Sequence, residues 1–203
     1  MNRVRTAVLI SGRGSNLKSL IDACAAHDFP AEIVLVISNV ESAGGLAIAG
    51  DAGIATKVIP HKPFPSREAF DAVIDSALRE ATVGLVCEAG FMRIHSEWFV
   101  TRWEGRILNI HPSLLPLFKG TKVHEQVLAA GATESGATVH FLMPELDSGP
   151  IVAQRKVPVL AGDTVETLSA RVLEAEHLLY PEALRLVAEG RVRLDNGKAV
   201  ALV

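Results

Sequence analysis

Val4–Ile10 is an apolar run that stops at Ser11-Gly12-Arg13-Gly14-Ser15-Asn16, and Leu17, Leu20, Ile21 and Cys24 then recur at helical spacing. A run apolar on both faces, a glycine turn and an amphipathic helix together open a βα unit, in which helices cover a parallel sheet. The pattern repeats. Strands are predicted over Glu32–Ser38, Thr56–Ile59, Val83–Ala89 and Arg106–Ile110. Helices are predicted over Gly44–Ala52, over Ser66–Arg79 with Ser66 as cap, and near Ser96–Trp103. This order predicts one α/β domain with a mostly parallel, doubly wound, Rossmann-like sheet.

The second half reads differently. His111–Val123 is irregular and holds Pro112, Pro116 and Gly120, and a helix fits near His124–Ala130. Thr138–Leu142 and Ile151–Pro158 read as strands close enough in sequence to include an antiparallel one. A long helix follows, with Asp163 expected as N-cap in a capping box with Glu166, and Pro181 expected to break or kink it. The segment from Gly190 is expected to be a peripheral tail.

Aromatic residues make up only 5% of the chain, so Ala, Val, Leu and Ile must build the core. The net charge of −3, without a basic run, gives no support for nucleic acid or a membrane surface as partner. No apolar run reaches membrane-spanning length, and Val4–Ile10 is too short for a signal peptide, so a cytoplasmic location is expected. Cys24 and Cys87 form no CxxC pair and read as buried thiols.

The glycine turn sits where α/β folds bind phosphate, with the N–H groups of Gly14, Ser15 and Asn16 at a helix start. Leu17 occupies the place of the third glycine of a dinucleotide fingerprint, and the second strand runs into Asn39 rather than an acidic residue. A phosphomonoester therefore fits better than a nicotinamide cofactor, and a turn with no ligand fits equally well. Asn109 and His111 are two apart, so in a strand they share a face, at the carboxyl end where such sheets place ligands. An asparagine amide can donate to a developing oxyanion, and a histidine can move a proton near neutral pH. Asp147 lies in Glu145-Leu146-Asp147-Ser148-Gly149-Pro150, which on spacing alone is a surface turn. Glu176 continues the apolar stripe Leu168, Val172, where a carboxylate needs a partner. His27, His61, His124 and His140 read as structural, and no metal is expected.

Five ordered motifs change the weighing. They are Ser11–Asn16, Ala89-Gly90-Phe91-Met92-Arg93-Ile94, Asn109-Ile110-His111-Pro112-Ser113-Leu114-Leu115-Pro116, Glu145–Pro150 and Glu176-His177-Leu178-Leu179-Tyr180-Pro181. From Val8 to about Glu189 the chain resembles the formyltransferase family that uses formyltetrahydrofolate, most closely its branch acting on glycinamide ribonucleotide in purine biosynthesis. The resemblance implies a formyltransferase fold over residues 1–189. Residues 1–105 would be a phosphate-binding half, residues 106–189 a catalytic and folate-binding half, and residues 190–203 the tail.

The resemblance also implies roles. Asn109, His111 and Asp147 would be catalytic, with Asp147 holding His111. Gly14, Ser15 and Asn16 would bind the ribose phosphate, and Glu176 the glycinamide portion. Arg67, Met92, Arg93, Ile94, His95 and Val139 would contact 10-formyltetrahydrofolate as co-substrate. Partners would be small molecules, and the chain a monomer or homodimer. Two alternatives stand: a formyltetrahydrofolate hydrolase and a catalytically idle folate- or nucleotide-binding protein. Three positions depart from the family pattern: Lys122 where a histidine often sits, Glu88 within an apolar strand, and His95 where an aliphatic residue is common.

Overall fold

The computed structural model describes residues 3–201. The elements run β1 (Val4–Ile10), α1 (Ser15–Cys24), β2 (Ala31–Ser38), α2 (Gly44–Asp51), β3 (Ala55–Val58), α3 (Arg67–Glu80), β4 (Leu85–Glu88), α4 (Glu97–Arg102) and β5 (Ile107–His111). They continue α5 (Val123–Ala129), β6 (Glu134–Phe141), β7 (Ile151–Pro158), α6 (Val165–Ala188), β8 (Val192–Asp195) and β9 (Lys198–Ala201).

Seven strands form one sheet in the order β3-β2-β1-β4-β5-β6-β7. The first five are parallel, β6 is antiparallel to β5, and β7 is antiparallel to β6. β6 is thus the one reversed strand of this sheet, as the short Met143–Pro150 connection to β7 requires.

Strand order reverses beside β1 and β4, so the loops that follow them diverge and leave a crevice at the carboxyl ends. The two loops are tied together there. Ser11 N donates to Gly90 O at 3.1 Å, and Met92 N donates to Ser11 Oγ at 2.8 Å. Gly14 has φ 82°, and a Cβ on it would meet Gly45 Cα at 2.5 Å, so only glycine lets the turn press against the start of α2.

Two apolar layers flank the sheet. One holds Val8, Ile10, Cys87, Leu108, Ile110, Val139 and Phe141 under α1, α5 and α6. The other holds Leu9, Val86 and Ile107 under α3 and α4, with Phe70, Ile74, Phe99 and Trp103. Cys24 and Cys87 are both buried and free, and burial pushes the Cys24 thiol up to about 11.

The long helix departs from expectation twice. Its N-cap is Thr164, in a reciprocal capping box with Thr167; Asp163 is instead held by Arg171 at 2.7 Å. Pro181 lies inside α6 without ending it. Proline removes one N–H donor from the helix, but Leu179, Tyr180, Ala183 and Leu184 around it are all buried and hold the helix in place. The Tyr180 hydroxyl lies 2.9 Å from the carbonyls of both Glu88 and Leu108, pinning α6 to the ends of β4 and β5. Two boundaries also move: β6 begins at Glu134 rather than Thr138, and β5 runs on through His111. The tail forms the β8–β9 hairpin, with Leu194 packed near Gly105.

Candidate active site

Along β5, Leu108 and Ile110 face α6, so alternation turns Asn109 and His111 to the opposite face. Register extends that row across the sheet. Glu88 pairs with Asn109, Asn109 with His140, and His111 with Thr138. The expected strand-face pairing of Asn109 and His111 is present, and His140 joins it from the reversed strand.

Asp147 reaches the same point from the β6–β7 loop. Its Oδ1 is 3.5 Å from His111 Nδ1 and 4.0 Å from His140 Nε2, and its Oδ2 accepts from Gly120 N at 2.8 Å. Its backbone is left-handed, φ 48°, which aspartate tolerates better than most residues. Gly149 closes the loop. A Cβ there would stand 1.7 Å from Phe141 O, so the loop can lie against β6 only with glycine at this position. His111 Nε2 donates to Phe118 O at 2.9 Å. Both ring nitrogens of His111 thus face oxygen acceptors.

These residues open into a cleft of about 550 Å³. Its walls include Phe91–His95, Asn109–Pro112, Gly120–Glu125, Leu142–Pro144, Leu146 and Asp147. Met92 and Ile94 are exposed on it, whereas His95 is buried. Burial, together with the charge of His111, pushes the His124 imidazole below its ordinary range. Burial does the same to His140, against the contact with Phe141 O. A cleft of this size, mostly apolar with few polar groups, suits a drug-sized heterocycle.

The glycine turn after β1 forms a second cluster outside that cleft. Asn16 Nδ2 donates to Glu176 Oε2 at 2.5 Å, and both residues are buried. Burial holds the Glu176 carboxyl above its ordinary value, partly offset by the Asn16 bond. Asn16 Oδ1 is buried without a hydrogen-bond partner, an acceptor that a ligand N–H would satisfy. Sequence spacing placed Glu176 on the inward stripe, and there it lies; its contact with the turn 160 residues earlier is visible only in the fold.

Two residues expected to contact the folate do not line this cleft. Val139 is fully buried under α6, on the face opposite His140, and does not border the cleft. Arg67 is exposed at the first turn of α3, outside the cleft walls. His124 and His140 were expected to be structural, yet His124 lines the cleft and His140 touches Asn109 at 3.3 Å. Only the antiparallel register of β5 and β6 brings His140 there, and no local motif records it.

Residues 4–184 match the family described as formyl transferase. The chain belongs to that family. Among formyl transferase relatives it is 45% identical over 95% of its length to phosphoribosylglycinamide formyltransferase of Escherichia coli, covering 91% of that protein. It is 56% identical over 97% of its length to the trifunctional purine biosynthetic protein adenosine-3 of Bos taurus, but spans only 20% of that protein. The fold matches glycinamide ribonucleotide transformylase 1 of Symbiobacterium toebii with a TM-score of 0.95, at 44% identity, over 99% of this chain and 95% of that one. The architecture expected from sequence is the one this solved structure shares.

Proposed function

We propose that this formyl transferase moves the formyl group of 10-formyltetrahydrofolate to the amine of glycinamide ribonucleotide, a step of purine biosynthesis. The observation that carries the reading is the convergence of Asn109, His111 and Asp147 from two separate segments at the mouth of one cleft. The folate supplies an activated one-carbon group, and the cleft between Met92–Ile94 and Leu142–Leu146 is of a size and character to hold its heterocycle. The N–H groups of Gly14, Ser15 and Asn16 at the start of α1 receive the ribose phosphate. Glu176 and Asn16 hold the glycinamide end, with Asn16 Oδ1 accepting from it.

As the amine adds to the formyl carbon, the formyl oxygen becomes negative. Asn109 donates an N–H to that oxygen, and His111, charged and held between Asp147 and Phe118 O, stabilises it. Donors aimed in advance act without reorganisation at the moment of reaction, and a single such donor contributes about 3–4 kcal/mol. The proton lost by the amine reaches the departing folate nitrogen through water, or through His111, which gives its own proton to that nitrogen and then takes the amine's.

One assay tests this reading. Purified protein is given 10-formyltetrahydrofolate with and without glycinamide ribonucleotide. Cofactor consumption that requires the nucleotide is expected. Consumption without it would indicate a hydrolase, and none in either case a binding protein.

A further inference from the structure

The wall of the cleft from Phe91 to Ser96 has no regular secondary structure, yet it carries Met92, Arg93 and Ile94 on its open side. Its front end is held by Met92 N donating to Ser11 Oγ at 2.8 Å. At its rear lies a line of buried charge. His95 Nδ1 is 2.7 Å from Asp71 Oδ1, and His95 Nε2 is 2.8 Å from Glu88 Oε1. The Asp71, His95 and Glu88 side chains are 1%, 1% and 5% exposed, so water cannot compensate any of them. The imidazole is stacked between Phe91, with centroids 5.3 Å apart, and Phe99, at 4.3 Å. Asp71 is fixed from behind, its Oδ2 accepting from Ser96 N at 2.6 Å and from Ser96 Oγ at 2.7 Å.

A neutral imidazole has no charge to set against two buried carboxylates, whereas an imidazolium donates to Asp71 and lies as a cation 2.8 Å from Glu88, in a contact off the hydrogen-bond line. We infer that Asp71, a protonated His95 and Glu88 form a positioning clamp that holds the Met92–Ile94 wall in place for the folate, and that Glu88 depends on His95 for its counter-charge. The inference rests on the reading of the cleft as the folate site. Without His95, Glu88 is a buried charge with no cation beside it; replacing both with apolar residues removes that charge and leaves Asp71 held by Ser96 N and Oγ. The groups facing the ring are Asp71 from α3, Glu88 from β4 and the aromatic rings of Phe91 and Phe99. The titratable groups beyond Glu88 that feel its charge are His140 of β6 and Tyr180 of α6. Burial alone would lower the His95 imidazole, but its contacts with Asp71 and Glu88 raise it to about 9. The clamp is therefore closed at neutral pH and opens in alkali.

The test uses tetrahydrofolate, which carries no formyl group to transfer, and glycinamide ribonucleotide, each titrated calorimetrically into wild type, His95→Leu and the double variant Glu88→Leu/His95→Leu. His95→Leu is expected to weaken tetrahydrofolate by about tenfold or more, as displaced binding walls do, with the nucleotide affinity nearly unchanged. The double variant is expected to recover part of the lost affinity, because Asp71 lacks His95 in both variants. Wild-type affinity for tetrahydrofolate is expected to fall as pH passes 9, a step that the double variant lacks. Unchanged tetrahydrofolate affinity in His95→Leu, or a double variant no better than the single, overturns the clamp. If His95→Leu does not fold, the alkaline step decides, and its absence from wild type overturns the clamp. If wild type fails to bind tetrahydrofolate, the folate reading falls, and the clamp is judged on thermal melting, where His95→Leu must melt below the double variant.

Discussion

Asn109 Nδ2 lies 3.3 Å from His140 Nε2, and this contact sets which way the amide of Asn109 faces. His140 Nδ1 is 2.9 Å from Phe141 O, a carbonyl that can only accept, so Nδ1 carries the hydrogen. Burial keeps the ring neutral, leaving Nε2 bare to accept one N–H of Asn109. The tautomer follows from the hydrogen-bond network. The second N–H of Asn109 is left for the cleft, where the proposed oxyanion forms.

Two variants separate donor from aimer. Asn109→Ala is expected to lower kcat about 10²–10³-fold, the usual loss for one oxyanion donor, with ligand affinities little changed. His140→Phe keeps a buried ring but removes the acceptor, and is expected to lower kcat by about tenfold because Asn109 remains but turns freely. Single-turnover rates measure both. Equal losses in the two variants would show that His140 does more than aim the amide.

Asp147→Asn isolates charge from shape. Asparagine also tolerates the left-handed backbone at this position and can still accept from Gly120 N. What it loses is the negative partner of His111, 3.5 Å away. Turnover is expected to drop by about 10²-fold or more, in line with removing the carboxylate behind a catalytic histidine. Folate affinity measured on the same protein is expected to hold.

Much of this architecture is legible in the sequence, because βα units are local: Val4–Ile10 and its glycine turn lie where periodicity puts them. Asn109 and His111 share a face by alternation alone. Contacts made across the sheet are not legible in this way. His140 reaches Asn109 through register, and Asn16 meets Glu176 across 160 residues. Val139 shows how fine the dependence is. It neighbours His140, and one step along a strand carries it to the other side of the sheet. Thr164 took the N-cap from Asp163 because Arg171 claims the aspartate, a pairing set by the helix that the cap begins.

Gly149→Ala tests whether the acidic loop must lie against β6. A Cβ 1.7 Å from Phe141 O cannot be relieved by a side-chain rotation, because the obstacle is backbone. The loop must lift, carrying Asp147 from His111. A large fall in kcat is expected with only a modest fall in melting temperature, since most of the loop's side chains are exposed. A melting loss as severe as that of a core truncation, about 3–5 kcal/mol, would mean that the loop supports the fold itself.

In the proposed reading Glu176 sets substrate binding against stability, and pH separates the two. Burial raises its folded-state carboxyl above the ordinary value of 4.5, so between that value and the raised one the folded protein binds more protons than the unfolded chain. Stability must then fall as pH rises through this window, and the loss is complete above the folded-state value. Glu176→Gln keeps an oxygen to accept from Asn16 Nδ2 but never ionises. The variant is expected to melt above wild type near neutral pH, and the difference is expected to vanish below pH 4.5, where both side chains are neutral. Its KM for glycinamide ribonucleotide is expected to rise by about tenfold, because a charge-assisted bond to the substrate is replaced by a neutral one. Melting curves and initial rates taken on the same samples from acid to neutral pH check both halves. A variant no more stable than wild type at neutral pH would mean that Asn16 and neighbouring N–H groups fully offset the buried charge even without substrate.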